Sequence, residues 1–167
     1  MKPRINFYKA APAAIDAMRG LEHYINQSSG LEPSLRELVK TRASQINGCA
    51  YCIDMHTKDA RAAGETEQRL YALNAWRETP FFTERERAAL EWTEAITLIA
   101  ADHAPEELFV RVRQYFGEEE LVNLTLAIVA INGWNRMAIA FRSVPGVYQP
   151  SGLRSPSRVG TNSETVG

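Results

Sequence analysis

Cysteine is scarce in this chain. Its 167 residues include two cysteines, Cys49 and Cys52, which lie three positions apart within the run Asn47-Gly48-Cys49-Ala50-Tyr51-Cys52. The chain is long enough to bury a hydrophobic core without disulfide staples. A dithiol concentrated in so short a run indicates redox or metal chemistry.

Excess charge and long apolar runs are also lacking. A formal net charge of −1 gives no reason to expect nucleic acid or an anionic membrane as a partner. No uninterrupted apolar run approaches the roughly 20 residues of a membrane span. Residues 1–6 lack the apolar stretch and small-residue cleavage site of a secretory signal. We therefore expect a cytoplasmic protein, in which cellular thiols keep the pair reduced and available for a working cycle.

Apolar residues recur at helical spacing along most of the chain, and no stretch shows convincing strand alternation. The pattern predicts an all-α, multi-helix bundle. We expect helices at about residues 10–25, 33–46, 49–63, 66–74, 83–101, 105–117 and 118–141. The last is apolar around most of its circumference, which predicts burial in a core or in a subunit interface.

Composition divides the chain near residue 144. Residues 1–144 carry the helical pattern and are expected to form a single domain. Residues 145–167 are rich in Pro, Ser, Gly and Arg without periodicity. This segment is expected to be a flexible tail, or to be ordered only by a partner subunit.

The dithiol lies beside an imidazole. On a helix, Cys49, Cys52 and His56 share one face, because they are separated by three and four positions. Cys49 is at the expected helix N-terminus, which favours a thiolate, whereas His56 would activate Cys52. The helix end alone makes Cys49 the more acidic thiol, and the histidine favours Cys52. A thiolate beside a base and backed by a second thiol suits peroxide reduction or disulfide exchange.

Glu37 lies twelve positions before Cys49. With Cys49, Cys52 and His56 it forms a pattern that resembles the alkyl hydroperoxidase D-like proteins of the carboxymuconolactone decarboxylase superfamily. The flanking runs Asn47-Gly48, Asp54-Met55 and 132–136 are also similar to that family. The resemblance covers roughly residues 35–141, and four residue types at fixed spacings make it far more specific than a lone CxxC.

The resemblance implies an all-helical subunit that assembles into dimers, trimers or hexamers, and a peroxidase cycle that needs no bound cofactor. Carried over, Cys52 attacks the peroxide and becomes a sulfenic acid, and Cys49 resolves it to a disulfide. An external dithiol then restores the pair. Glu37 and His56 form a proton relay, often through water. Well-characterised members have a histidine where this chain has Tyr51. A phenol with a pKa near 10 cannot replace that base, although it can donate a hydrogen bond.

Several alternatives remain open from the residues alone. A zinc site could use Cys49, Cys52 and His56, with His23, His103 or water as the fourth ligand. The dithiol could serve a non-enzymatic redox sensor, or the pocket could serve a cysteine-independent lyase. Glu37 lies away from the apolar stripe of its helix and suggests a solvated side chain, although its small neighbours on that face, Thr41 and Ser44, could let a second helix shelter it. The residues 134–136 favour a structural anchor over a site lining.

Overall fold

The computed structural model describes residues 2–150, and within that range the chain folds into nine α-helices and one 3-10 helix, with no strand. The helices are α1 (Phe7–Ala10), α2 (Pro12–Gln27), α3 (Pro33–Asn47), α4 (Ala50–Ala62), α5 (Glu67–Ala72), the 3-10 helix (Leu73–Glu78), α6 (Glu84–Thr97), α7 (Ile99–Asp102), α8 (Glu106–Val112) and α9 (Glu118–Phe141). The predicted all-α bundle is confirmed.

Helix α3 lies at the centre of the bundle and packs against α4, α6 and α9. Its Leu35 and Val39 belong to a large apolar core shared with α2, α6, α8 and α9. Leu38, on another side of α3, packs in a second cluster with α4, α5, the 3-10 helix and α6. Burying each such side chain contributes about 1.5–3 kcal/mol, so α3 is a rigid support for whatever its polar face carries.

Local signals set most helix boundaries. Thr83 and Glu86 form a reciprocal capping box at the start of α6, and Gly64, beyond the end of α4, has the left-handed φ of +98° that favours glycine. The expected helix over 83–101 is two helices, since α6 ends at Thr97 and α7 follows from Ile99. The expected helix over 66–74 tightens into the 3-10 helix at Leu73.

Helix α9 has the length and mean hydropathy, 1.3, that a membrane span requires. Core helices of water-soluble bundles meet the same criteria, and α9 packs against α2, α3, α4 and α6. Its C-terminal end receives the start of the chain, where the Arg4 N–H donates to the Phe141 carbonyl oxygen at 2.9 Å and the rings of Phe7 and Phe141 lie 5.7 Å apart.

Residues 145–150 lie against α4 through hydrogen bonds to Asp54, Lys58 and Asp59. The remainder of the expected tail, 151–167, is outside the described residues.

Candidate active site

The turn between α3 and α4 places both thiols. Gly48 ends α3 with a left-handed φ of +68°, a conformation that costs glycine little. The N–H of Cys49 donates back to the Ser44 carbonyl oxygen at 2.9 Å, which tightens this turn. Cys49 is the N-cap of α4, which begins at Ala50, one residue after the expected start at 49, and Cys52 lies in the first turn.

Glu37 and His56 meet across the interface between α3 and α4. The His56 Nδ1 and the Glu37 Oε2 are 2.8 Å apart, and the two side chains are 6% and 14% exposed. Burial opposes ionisation of Glu37, but the hydrogen bond and charge of His56, with Lys40 and Arg36, outweigh it and lower the pKa of Glu37. An ionised carboxylate only accepts hydrogen bonds, so Nδ1 carries the proton and Nε2 is left as the available base.

The two thiols are both buried but differ in acidity. Each cysteine is 1% exposed, and both are free thiols. The pKa of Cys49 is lowered to about 7, and the hydrogen bond from the Cys52 side chain is the largest cause. Asn135 and the N–H groups of the first turn of α4 lower this pKa further, whereas burial opposes the shift. The same hydrogen bond, burial and the charge on Cys49 raise the pKa of Cys52. The pair therefore loses its first proton from Cys49.

No hydrogen bond joins His56 to Cys52 within residues 2–150, although the two side chains share one face of α4. The side chains that shift the pKa of Cys52 are Cys49 and Asn135. The sequence favoured His56 as the activator of Cys52, whereas in this conformation the imidazole binds Glu37 instead.

A buried amide network links the thiol turn to α9. The Asn47 Nδ2 donates to the side-chain oxygens of Asn132 and Asn135, each at 2.9 Å, and the Asn135 Nδ2 donates to the Ser44 hydroxyl at 3.0 Å. Asn135 is fully buried and also lowers the pKa of both thiols. The sequence favoured a structural role for residues 134–136, and Asn135 serves the fold and the thiols together.

Cys52 lines a cavity of about 310 Å³ that also contains Glu37 and His56 on its wall. Cys49 is not among the residues of the 2–150 range that line this cavity. The lining combines apolar and aromatic side chains with charged and ionisable ones. The former are Phe7, Tyr8, Tyr51, Met55, Trp134 and Ala138, and the latter are Arg19, Glu22, Glu37, Lys40, His56 and Asp59.

Tyr51 contributes a phenol to this lining. Burial is the main reason that the pKa of Tyr51 is raised, with the neighbouring Tyr8 and Cys52 adding to it. Tyr51 therefore stays protonated near neutral pH and cannot act as a base.

Sequence reasoning missed four charged residues of the cavity, Arg19, Glu22, Lys40 and Asp59, and two of these could have been found. Lys40 is 2% exposed and binds the Glu22 carboxylate of α2. Asp59 lies one turn after His56, and one ligand atom from each of Glu37, His56 and Asp59 falls within 4.8 Å of the others. Helical spacing could have flagged both, because Lys40 is three positions after Glu37 and Asp59 is three after His56.

Within residues 2–150, the side chains expected as zinc ligands do not form one cluster. The group of close acidic and imidazole side chains contains neither thiol, and neither His23 nor His103. Its members are already paired, since His56 binds Glu37 and Asp59 accepts from Tyr148 at 2.7 Å. A metal ion would have to replace these hydrogen bonds.

An all-α bundle that brings a CxxC dithiol to a buried Glu–His pair defines the alkyl hydroperoxidase D-like class of proteins. The chain belongs to the carboxymuconolactone decarboxylase family, whose sequence model matches residues 10–95. It is 51% identical to the uncharacterised protein YdfG of Bacillus subtilis over 140 residues, which are 84% of this chain and 95% of YdfG.

Solved structures agree with this assignment. The crystal structure of ATU0492 from Agrobacterium tumefaciens, a protein of unknown function assigned provisionally to antioxidant defence as an AhpD, matches with a TM-score of 0.84 and 50% identity, covering 88% of this chain and 100% of that one. The debrominase Bmp8, in complex with 2,3,4-tribromopyrrole, matches with a TM-score of 0.75 at 23% identity, covering 83% of this chain and 74% of Bmp8. The latter likeness is one of fold.

Proposed function

We propose that this protein is a thiol-dependent peroxidase that reduces organic hydroperoxides or hydrogen peroxide through a dithiol/disulfide cycle of Cys49 and Cys52. The observation that carries the proposal is the buried Glu37–His56 pair on the wall of the same cavity as Cys52. A structural pair of core thiols has no use for an adjacent buried base. A peroxidase needs one, because a proton must leave the thiol and reach the leaving oxygen.

In the proposed reaction, the thiolate sulfur of Cys52 attacks the distal peroxide oxygen. The S–O bond forms as the O–O bond breaks, so that sulfur is oxidised and the peroxide is reduced to an alkoxide, which takes up a proton and leaves as an alcohol. The Cys49 sulfur then attacks the sulfenic sulfur as its thiol gives up its proton, the S–S bond forms, and the S–O bond breaks, so that hydroxide takes up this proton and leaves as water. An external dithiol reduces the disulfide and supplies two protons and two electrons for the next cycle.

Access and acidity favour different thiols for the first attack. The lower pKa belongs to Cys49, but Cys52 lines the cavity. Because the two sulfurs share a hydrogen bond, the proton can move from Cys52 to Cys49 at no cost in total charge. We therefore assign the attack to Cys52, the thiol that a peroxide in the cavity meets, and the resolving step to Cys49.

His56 is proposed to move the proton. With Nδ1 held by Glu37, its Nε2 can accept the thiol proton and return it to the alkoxide, and the nearby carboxylate stabilises the imidazolium formed in between. No direct hydrogen bond to Cys52 exists within residues 2–150, so the transfer is proposed to pass through a water molecule or the peroxide itself. Tyr51 supports the site as a hydrogen-bond donor.

The first experiment measures peroxide-dependent consumption of dithiothreitol or reduced lipoamide by the wild type and by Cys52→Ser. We expect many turnovers in the wild type and none in the variant. A wild type that oxidises once and stops would indicate a redox sensor, and activity that survives replacement of both cysteines would indicate a lyase-type site.

The matched variant Cys49→Ser separates the two thiols. It should accumulate a sulfenic acid at Cys52, which a dione probe and mass spectrometry detect, because the resolving thiol is gone. A trapped sulfenic acid at Cys49 in Cys52→Ser, with full peroxide consumption, would reverse the assignment.

The proposal extends to assembly and location. The family resemblance supports a homo-oligomer, and α9 carries outward-facing apolar residues that a second copy would cover, among them Val122 and Val129, which are 59% and 50% exposed. We also propose that the protein works in the cytoplasm, where a thiol pool can return the disulfide to the reduced pair.

A further inference from the structure

The segment after α9 is fixed on the outer side of α4 by three contacts. The Gly146 N–H donates to the Asp54 Oδ2 at 2.9 Å, and the Lys58 Nζ donates to the Tyr148 carbonyl oxygen at 3.1 Å. The Tyr148 hydroxyl donates to the Asp59 Oδ1 at 2.7 Å. Backbone and phenol of Tyr148 are therefore both held by side chains of α4.

Asp59, the partner of Tyr148, faces the proposed relay. It lines the cavity and is half-buried, and its carboxylate, the Glu37 carboxylate and the His56 ring lie within 4.8 Å of one another. The hydrogen bond from Tyr148 thus connects a residue beyond the last helix to the groups that handle the proton.

The ionisation of Asp59 depends on opposing neighbours. The pKa of Asp59 is raised overall, because burial and the negative charge of Glu37 from α3 outweigh the hydrogen bond from Tyr148 and the charges of His56 and Lys40, which lower it. Burial and the charges of Asp59 and Glu37 raise the pKa of Tyr148, with Tyr51 adding to the effect. Tyr148 therefore remains a donor through the range in which the first thiol ionises.

We propose that Tyr148 is a positioning residue of the site, which holds the Asp59 carboxylate ionised and directed toward the Glu37–His56 pair. An anionic Asp59 beside His56 stabilises the imidazolium that forms when the ring accepts the thiol proton, and a protonated Asp59 does not. The effect on turnover rests on the proposed peroxidase function, but the effect on the ionisation of Asp59 does not.

The test is Tyr148→Phe, which removes one hydroxyl and keeps the ring. A pH titration of the Asp59 carboxyl carbon by NMR, with the signal assigned by its loss in Asp59→Asn, should show the midpoint moving to higher pH, because a hydrogen bond to the ionised form has been lost. Tyr71→Phe is the matched control: its hydroxyl also donates to a carboxylate, that of Glu67 at 3.3 Å, but Tyr71 is 77% exposed on α5. It should leave the Asp59 midpoint unchanged.

A midpoint for Asp59 that is the same in Tyr148→Phe and in the wild type would overturn the proposal, whether or not the protein has peroxidase activity. If the wild type turns over peroxide, the acidic limb of its pH–rate profile should also move to higher pH in Tyr148→Phe, with up to about tenfold loss per unit of displacement on that limb. A loss of activity that is equal at every pH would indicate that Tyr148 has only a structural role. Asp59→Asn should lose activity at every pH and should abolish any further effect of Tyr148→Phe.

Discussion

Cys49 and Cys52 have the same side chain and the same 1% exposure, so their difference in acidity comes from what each sulfur contacts. Cys49 receives the hydrogen bond of the other thiol and lies at the N-terminus of α4, where N–H groups favour a negative sulfur. Cys52, one turn into the helix, faces that negative sulfur and is disfavoured as an anion. Ionisation of Cys49 therefore opposes ionisation of Cys52.

This dependence can be measured in single-thiol variants. In Cys52→Ala the pKa of Cys49 should rise from about 7 toward the ordinary thiol value of about 8.5, because its main hydrogen-bond donor is lost. Cys52→Ser keeps a hydroxyl donor at that position and should raise the pKa less. The thiolate absorbance in the ultraviolet, followed against pH, reports both values. Titration curves for Cys49 in both variants that match the wild type would show that the helix end, rather than the second thiol, governs the pKa of Cys49.

Glu37 should make stability depend on acid pH. Its folded pKa lies below the unfolded value, so its contribution is complete above the unfolded pKa of about 4.3 and is lost as pH falls through the folded pKa. Glu37→Gln should therefore lower the free energy of unfolding by about 1.5–3 kcal/mol at neutral pH, and the difference from the wild type should shrink below about pH 4.

Urea unfolding at several pH values measures this difference. Glu118→Gln is a suitable control, since the Glu118 side chain is 91% exposed, and it should change little at any pH. A loss in Glu37→Gln that is as large in acid as at neutral pH would mean that the Glu37 charge does not stabilise the fold.

At the scale of elements, α9 is more than a core helix, because it supplies the amide that contacts both thiols. Asn135→Ala should remove hydrogen bonds to Ser44 and Asn47 and destabilise the fold by about 1–3 kcal/mol. It should also raise the pKa of the thiols, since Asn135 lowers both.

Asn123→Ala is the matched control on the same helix. Asn123 is 2% exposed and also has two partners, donating to the Ser29 carbonyl oxygen at 2.9 Å and accepting from Tyr24 at 3.1 Å. Its loss should destabilise the fold to a similar extent and leave the thiol titration unchanged. Equal thiol shifts in the two variants would point to a general loosening of α9 instead of a contact between Asn135 and sulfur.

Element boundaries were predictable where a local signal sets them. The bounds of α9 agree with the prediction at both ends, and Pro33 begins α3 as expected, because proline suits the first position of a helix. The four-residue α1 was missed, since so short a helix has no periodicity to detect and depends on its contact with Phe141.

The site was predictable only in part. The spacing of residues along one helix can be read from the sequence, whereas contacts between helices depend on how the chain packs. The common face of Cys52 and His56 follows from α4 alone. The sequence by itself favoured a solvated Glu37, and only the packing of α4 on α3 decides that it is 14% exposed and paired with His56. Lys40 and Asp59 resemble ordinary surface charges until α2 and the segment at Tyr148 cover them.

The whole molecule assembles its cavity from elements distant in sequence. Helices α3 and α4 provide the relay and the reactive thiol, α9 provides Trp134, and α1 and α2 close the opposite side with Tyr8 and Glu22. The salt bridge between Lys40 and Glu22 ties α2 to the central helix. Since the site lies on one side of the bundle, the outward side of α9 is free to serve another purpose.

The outward side of α9 exposes large apolar side chains, among them Val122 and Val129. Val122, Leu126 and Val129 follow one another at spacings of four and three on α9, and the groove beside Val122 is continued by Trp92 and Phe109. Contiguous exposed apolar patches of this kind mark interaction sites. In a family for which oligomers are expected, we expect the covering partner to be a second copy of the chain.

The measurement is sedimentation velocity on the wild type and on Val129→Lys. The wild type should sediment as a stable multiple of the 18.7 kDa chain, and Val129→Lys should shift toward the single chain, because a charge buried in an apolar interface has no partner. Tyr71→Lys, at a residue 77% exposed on α5, should leave the assembly intact. A wild type that remains a monomer at high concentration would contradict both the interface and the expectation of an oligomer. It would not affect the proposed chemistry, because the cavity is formed within one chain.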